Sequence, residues 1–131
     1  MGHRLPLHSG KCSNFHGHNY DVTITLDFET GQSFIEGVGF LIDFGDIKKY
    51  VDERFDHKFV MQSSDPYLKS IAPLEIPGLV VVDYAPTAEN LATDISQGLK
   101  QYISTQGFSS NQFKVIVKLW ETSNSFVTQI A

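Results

Sequence analysis

Tyr20-Asp21-Val22-Thr23-Ile24-Thr25-Leu26-Asp27-Phe28 alternates without a break. Tyr20, Val22, Ile24, Leu26 and Phe28 fall on one face, and Asp21, Thr23, Thr25 and Asp27 on the other. A period of two in β-branched and aromatic residues marks a strand with one buried face. The stretch Glu29-Thr30-Gly31-Gln32-Ser33 then reads as a turn or loop. A second alternation sets Phe113, Val115, Val117 and Leu119 against Lys114, Ile116, Lys118 and Trp120. It predicts another strand, a turn at Ser123-Asn124 and a last strand over 125–130. Leu79-Val80-Val81-Val82, bounded by Gly78 and Asp83, reads as a short strand.

Between these runs the period changes to that of a helix. Asp43 can cap a helix over 44–55, whose apolar stripe is Phe44, Ile47, Val51 and Phe55. A Pro-containing loop is expected through 62–77. Pro86-Thr87 opens a second helix, with Thr87 as N-cap and Leu91, Ile95, Leu99, Tyr102 and Ile103 as its stripe. Gly98 weakens that helix by up to ~1 kcal/mol relative to alanine, and Gly107 follows its end. The order is strand, helix, short strand, helix, strand, strand. Two helices on one face of an antiparallel sheet is an α+β layer architecture.

A chain of 131 residues suits one domain, 1–131. With 41% hydrophobic and 19% charged residues it is no disordered segment. Ten Lys and Arg against fifteen Asp and Glu leave a net charge of −5, with no basic cluster. That argues against nucleic-acid and anionic-membrane partners. No apolar run approaches the ~20 residues of a membrane span, and Met1 to Pro6 lacks an apolar signal region. The single cysteine, Cys12, excludes an intramolecular disulfide and fits a reducing, cytoplasmic setting.

Chemistry concentrates at Cys12-Ser13-Asn14-Phe15-His16-Gly17-His18. On an extended backbone His16 and His18 leave the same face. With His3 they can hold a metal in three positions and leave a fourth open, as a catalytic zinc requires. Surface histidine pairs without a metal are also common. Cys12 reads as a small buried hydrophobe, as a thiol of lowered pKa able to take a proton, or as a fourth ligand of a closed site. Asp56-His57, at the end of the first helix, is either a helix terminator or an acid/base pair. Glu89, in a helical first turn, and Glu121, near a strand end, read as ordinary surface carboxylates when taken alone.

In order along the chain, these residues resemble a family. Gly2-His3-Arg4-Leu5-Pro6, Gly10-Lys11-Cys12 and His16-Gly17-His18 are similar to the zinc and thiol motif of the 6-pyruvoyltetrahydropterin synthases, and especially of their queuosine-pathway branch, 6-carboxytetrahydropterin synthase. Ile42-Asp43-Phe44, Phe55-Asp56-His57, Pro86-Thr87-Ala88-Glu89-Asn90 and Trp120-Glu121-Thr122 resemble four further family blocks. The resemblance spans about positions 2 to 122.

The resemblance implies the tunnelling fold: α+β, a four-stranded antiparallel sheet with two helices on one face, here with its first strand shortened because His3 stands third in the chain. It implies His3, His16 and His18 as zinc ligands. Cys12, Asp56 and His57 become the proton-transfer triad, and Thr87, Glu89 and Glu121 the pterin-binding residues. The implied activity is a zinc-dependent lyase step. It turns 7,8-dihydroneopterin triphosphate into 6-carboxy-5,6,7,8-tetrahydropterin with release of acetaldehyde and triphosphate, on the route to queuosine. The alternatives are 6-pyruvoyltetrahydropterin synthase and a non-catalytic pterin-binding relic. Family members close sheets into barrels with active sites between subunits, so the implied partner is a second copy, in a homohexamer built as a dimer of trimers. Thr23, Thr25, Lys114 and Lys118, on polar strand faces, would line such a barrel.

Overall fold

The computed structural model describes residues 1–29 and 35–131. Apart from Glu29, the turn expected over 29–33 lies outside the described residues. The founding alternation is strand β3, Asp21–Phe28. It pairs antiparallel with β6, Phe113–Thr122, from Asp21 opposite Trp120 to Phe28 opposite Phe113. β6 pairs in turn with β7, Ser125–Ile130, through the tight turn at Ser123-Asn124. The four apolar residues of β6 named above are almost wholly buried.

The expected four-stranded antiparallel sheet is corrected here. The antiparallel sheet has three strands, in the order β3-β6-β7, and a separate four-stranded sheet is mixed, in the order β2-β1-β4-β5. Its members are β1 (Gly2–His3), β2 (His16–Gly17), β4 (Phe59–Gln62) and β5 (Leu79–Val82). β1 is only two residues long and lies in this mixed sheet, not in the antiparallel one. It pairs antiparallel with β2 and parallel with β4. A Cβ on Gly2 would strike the Phe59 ring, so the close approach of these strands needs glycine there. β4 and β5 run parallel, and parallel strands need a crossover. The stretch expected as loop supplies it, with a short helix α2, Leu68–Ile71, and a 3-10 turn at Ala72–Leu74.

The two long helices fall where their caps put them. α1 is Phe44–Phe55, and the Asp43 carboxylate accepts from Gly45 N at 2.7 Å. α3 is Ala88–Thr105, and Thr87 Oγ1 accepts from Asn90 N at 3.3 Å. α3 lays Leu91, Ile95, Leu99 and Ile103 against β6 in the main core. Each buried side chain of that size contributes roughly 1.5–3 kcal/mol relative to exposure. α1 is held less closely, with only Ile47 and Phe55 buried. Arg54 of α1 donates to both carboxylate oxygens of Asp94 on α3, and the Tyr84 hydroxyl donates to the same carboxylate. A groove of about 540 Å³ opens beside α1, lined by Val22, Ile24, Phe44, Ile47, Val51 and Leu119 among others. Among the described residues no helix is long and apolar enough to cross a membrane.

Candidate active site

β1 lies antiparallel to β2 with His3 opposite His16, and His18 leaves the same side two residues further on. Pairing two short strands thus turns H-x-H and a distant histidine into one cluster. The ring centroids of His3 and His16 are 4.5 Å apart, those of His16 and His18 5.1 Å, and those of His3 and His18 5.4 Å. One nitrogen from each ring lies within 4.8 Å of the other two.

Hydrogen bonds fix two of the tautomers. His3 Nδ1 is 2.6 Å from Pro86 O, and His16 Nδ1 is 2.9 Å from Asn14 O. A carbonyl oxygen only accepts, so both Nδ1 atoms carry a proton, and in the neutral ring the lone pair is on Nε2. Imidazoles that ligate a metal are oriented by this same kind of carbonyl contact. His3 is 1% exposed. Burial lowers its pKa, and a charge on His16 lowers it further, against an upward pull from the Pro86 hydrogen bond. The neutral, ligating form is favoured. The donor set, three nitrogen atoms and an open side, fits zinc.

Glu121 closes one flank. Its Oε1 accepts from the Tyr20 hydroxyl at 3.1 Å, and it lies 3.8 Å from His3 Nε2 and 3.7 Å from His18 Nε2. Two features aim it there. It continues the inward stripe Phe113, Val115, Val117, Leu119, and β6 slips register against β7 between Trp120 and Thr122. Such a bulge re-aims the side chain it carries. The sequence held this signal: a carboxylate occupies the next position of an apolar stripe. Tyr20 heads the apolar stripe that continues into β3, yet its phenol is 3.3 Å from His3 Nε2. Burial raises its pKa strongly. The Glu121 charge and hydrogen bond add to that, with smaller contributions from Cys12 and Glu89.

Cys12 is half-buried in a 3-10 turn, Lys11–Ser13, and is not one of the three-nitrogen cluster. Glu89 is exposed in the first turn of α3, and Thr87 is its cap. Asp56 and His57 are not brought to this spot by any contact among the described residues. They form their own ion pair, Nδ1 to Oδ2 at 2.9 Å, with side chains 60% and 93% exposed. The His57 hydrogen bond holds the Asp56 carboxyl below its usual pKa. His57 has φ 55°, in the left-handed region that glycine usually fills after a helix. A side chain there costs about 1–2 kcal/mol. The groove beside α1 touches Tyr20 and Asp56 but none of the three imidazoles, so its size does not make it the site.

The model of the 6-pyruvoyl tetrahydropterin synthase family matches residues 1–130. The 6-carboxy-5,6,7,8-tetrahydropterin synthase of Rickettsia conorii is 36% identical over 132 residues, covering 96% of this chain and 90% of that protein. The 6-pyruvoyl tetrahydrobiopterin synthase of Pongo abelii is 32% identical over 120 residues, covering 90% and 69%. The crystal structure of 6-pyruvoyl tetrahydropterin synthase from Plasmodium vivax shares the fold, with a TM-score of 0.66 at 18% identity over 99% of this chain and 88% of that one.

Proposed function

The chain belongs to the 6-pyruvoyl tetrahydropterin synthase family, and from that premise we propose that it is the 6-carboxy-5,6,7,8-tetrahydropterin synthase of a queuosine pathway. In this reading 7,8-dihydroneopterin triphosphate and water give 6-carboxy-5,6,7,8-tetrahydropterin, acetaldehyde and triphosphate. The observation that carries it is the convergence of three imidazoles beside Glu121, two of them oriented by Nδ1 contacts to backbone carbonyls. The name borne by the Rickettsia relative favours the carboxy product.

His3, His16 and His18 would hold zinc. When bound, zinc supplies a Lewis acid for the adjacent hydroxyls of the substrate side chain. The remaining work falls to the chain. The Glu121 carboxylate accepts two hydrogen bonds from the aminopyrimidine edge and fixes its register. Thr87 and Glu89 line the pterin. Cys12 Sγ takes a proton from the substrate side chain, and the His57 ring, oriented by Asp56, returns one. Because Asp56 and His57 are solvent-exposed and make no contact with the imidazoles among the described residues, a neighbouring copy in the oligomer would bring its own pair to this Cys12.

The test is a product analysis. Purified protein with zinc and 7,8-dihydroneopterin triphosphate is expected to yield 6-carboxytetrahydropterin and acetaldehyde, identified by mass. The Pongo abelii relative favours a second reading, 6-pyruvoyl product formation. Loss of triphosphate with the two-carbon fragment retained would establish it. Binding without turnover would leave only a pterin-binding relic.

A further inference from the structure

The crossover between β4 and β5 carries a buried acid that the chemistry above does not use. Asp65 is 2% exposed and Arg4 is 6% exposed. They meet with Arg4 Nη1 2.7 Å from Asp65 Oδ1, a contact that spans 61 positions. Asp65 Oδ1 also accepts from Tyr67 N at 2.9 Å, while Oδ2 is buried with no partner among the described residues. The Arg4 guanidinium lies over the Tyr67 ring at 4.5 Å and near the Phe15 ring at 5.2 Å. A buried ion pair is weak evidence of stability, because desolvation offsets its attraction. Its geometry is the more informative fact.

The other end of Arg4 reaches the Cys12 turn. Arg4 Nε donates to Ser13 O at 2.9 Å, and the next residue, Leu5, donates its N–H to Cys12 O at 2.8 Å. The carbonyls of the turn's last two residues are thus held from one side by consecutive residues. The turn also closes on itself, by Ser13 N and Ser13 Oγ to Gly10 O and by Asn14 N to Lys11 O, and its flanks reach His8 and His16 through Gly10 N and Asn14 O. Arg4 is in turn fixed by Asp65 and by the two aromatic rings.

We infer that Arg4 and Asp65 are positioning residues for Cys12: Asp65, brought in by the crossover, locks the guanidinium whose Nε holds the thiol-bearing turn against the imidazole cluster. This rests on Cys12 being the proton acceptor. A displacement of about 1 Å in such a group can cost on the order of a hundredfold in rate. Arg4 follows the metal ligand His3 directly, so the arrangement also ties the thiol's place to that ligand's.

Arg4→Lys separates this role from the charge pair. Lysine keeps a cation beside Asp65 but lacks the Nε that reaches Ser13. Loaded with zinc and assayed on 7,8-dihydroneopterin triphosphate, it is expected to keep about one zinc per chain and its KM. Its kcat should fall about ten- to a hundredfold. Alkylation by iodoacetamide, which can strike only Cys12 among cysteines, should change rate severalfold. The double variant Arg4→Met/Asp65→Leu removes both charges without stranding one. It should melt near wild type and show the same kcat defect. Wild-type kcat and alkylation rate in a folded Arg4→Lys protein overturn the inference. So does a kcat loss that appears only in step with lost zinc or lost stability. Cys12→Ala tells the two readings apart. If it turns over normally, the thiol's role itself is wrong; if it is dead while Arg4→Lys is normal, only the positioning role fails.

Discussion

Glu121 sits between two possible duties, since its Oε1 is within 4 Å of two imidazole nitrogens and also accepts from a buried phenol. As a pterin anchor it should act on the substrate and not on the metal. Glu121→Gln keeps the shape and replaces one acceptor by a donor facing a donor, so pterin affinity should fall about ten- to a hundredfold. Zinc content, read by elemental analysis, should stay the same; zinc lost with affinity intact would make Glu121 a partner of the metal site instead. His3 supports a pH prediction. Its folded pKa lies below the ordinary 6.5, because burial disfavours the cation. Below about 6.5 the unfolded chain takes up a proton that folded His3 refuses, so the unfolded state binds more protons and stability rises with pH. Metal-free protein should therefore lose stability in urea titrations as pH falls from 7 towards 5, by up to about 1.4 kcal/mol per unit for one such proton. His3→Gln should flatten that slope. At this scale the imidazole pair His16 and His18 is legible in the sequence because its spacing carries the geometry, whereas Glu121 stands out only through the family resemblance. Tyr20 was hidden by its own apolar ring, and Arg4 with Asp65 by the 61 positions between them.

Elements that announce themselves by capping or by period were legible: Asp43 opens α1, Thr87 opens α3, and alternation marks β3 and β6. β1 and β2 were not, since two residues have no period. β4 carries no period either. Phe59-Val60-Met61-Gln62 does not alternate, because a parallel strand covered on both faces has no polar side. Gly98 shows how an element's weakness can be a contact. Alanine in mid-helix should favour α3 by up to about 1 kcal/mol, but the new Cβ would fall on the Tyr50 hydroxyl of α1. Gly98→Ala should therefore lower stability by about 1 kcal/mol instead of raising it. The double variant Gly98→Ala/Tyr50→Phe, which removes the obstructing oxygen, should recover the loss in urea unfolding. A stabilised single variant would show that Tyr50 swings aside freely.

For the molecule as a whole, the exposure of the Asp56-His57 pair, read as serving the Cys12 of a neighbouring copy, predicts complementation. Cys12→Ala and His57→Ala should each be inactive alone. Unfolded together and refolded as mixed oligomers, they should regain part of the activity, because some sites then draw a sound Cys12 from one chain and a sound His57 from another. A mixture as dead as its parents would place all three groups of a site in one chain. The imidazole cluster has a consequence of another kind, in time. Its contacts join the two ends of the chain: His3 to Pro86 spans 83 positions and Tyr20 to Glu121 spans 101. Closing loops of that length comes late in folding, since their entropy is lost before any contact repays it. Bonds absent from the transition state change the unfolding rate and leave the folding rate nearly untouched. Zinc should accordingly slow unfolding in stopped-flow chevrons while the refolding arm stays where it is without metal, so that bound metal lengthens the native state's lifetime and does not hasten its arrival.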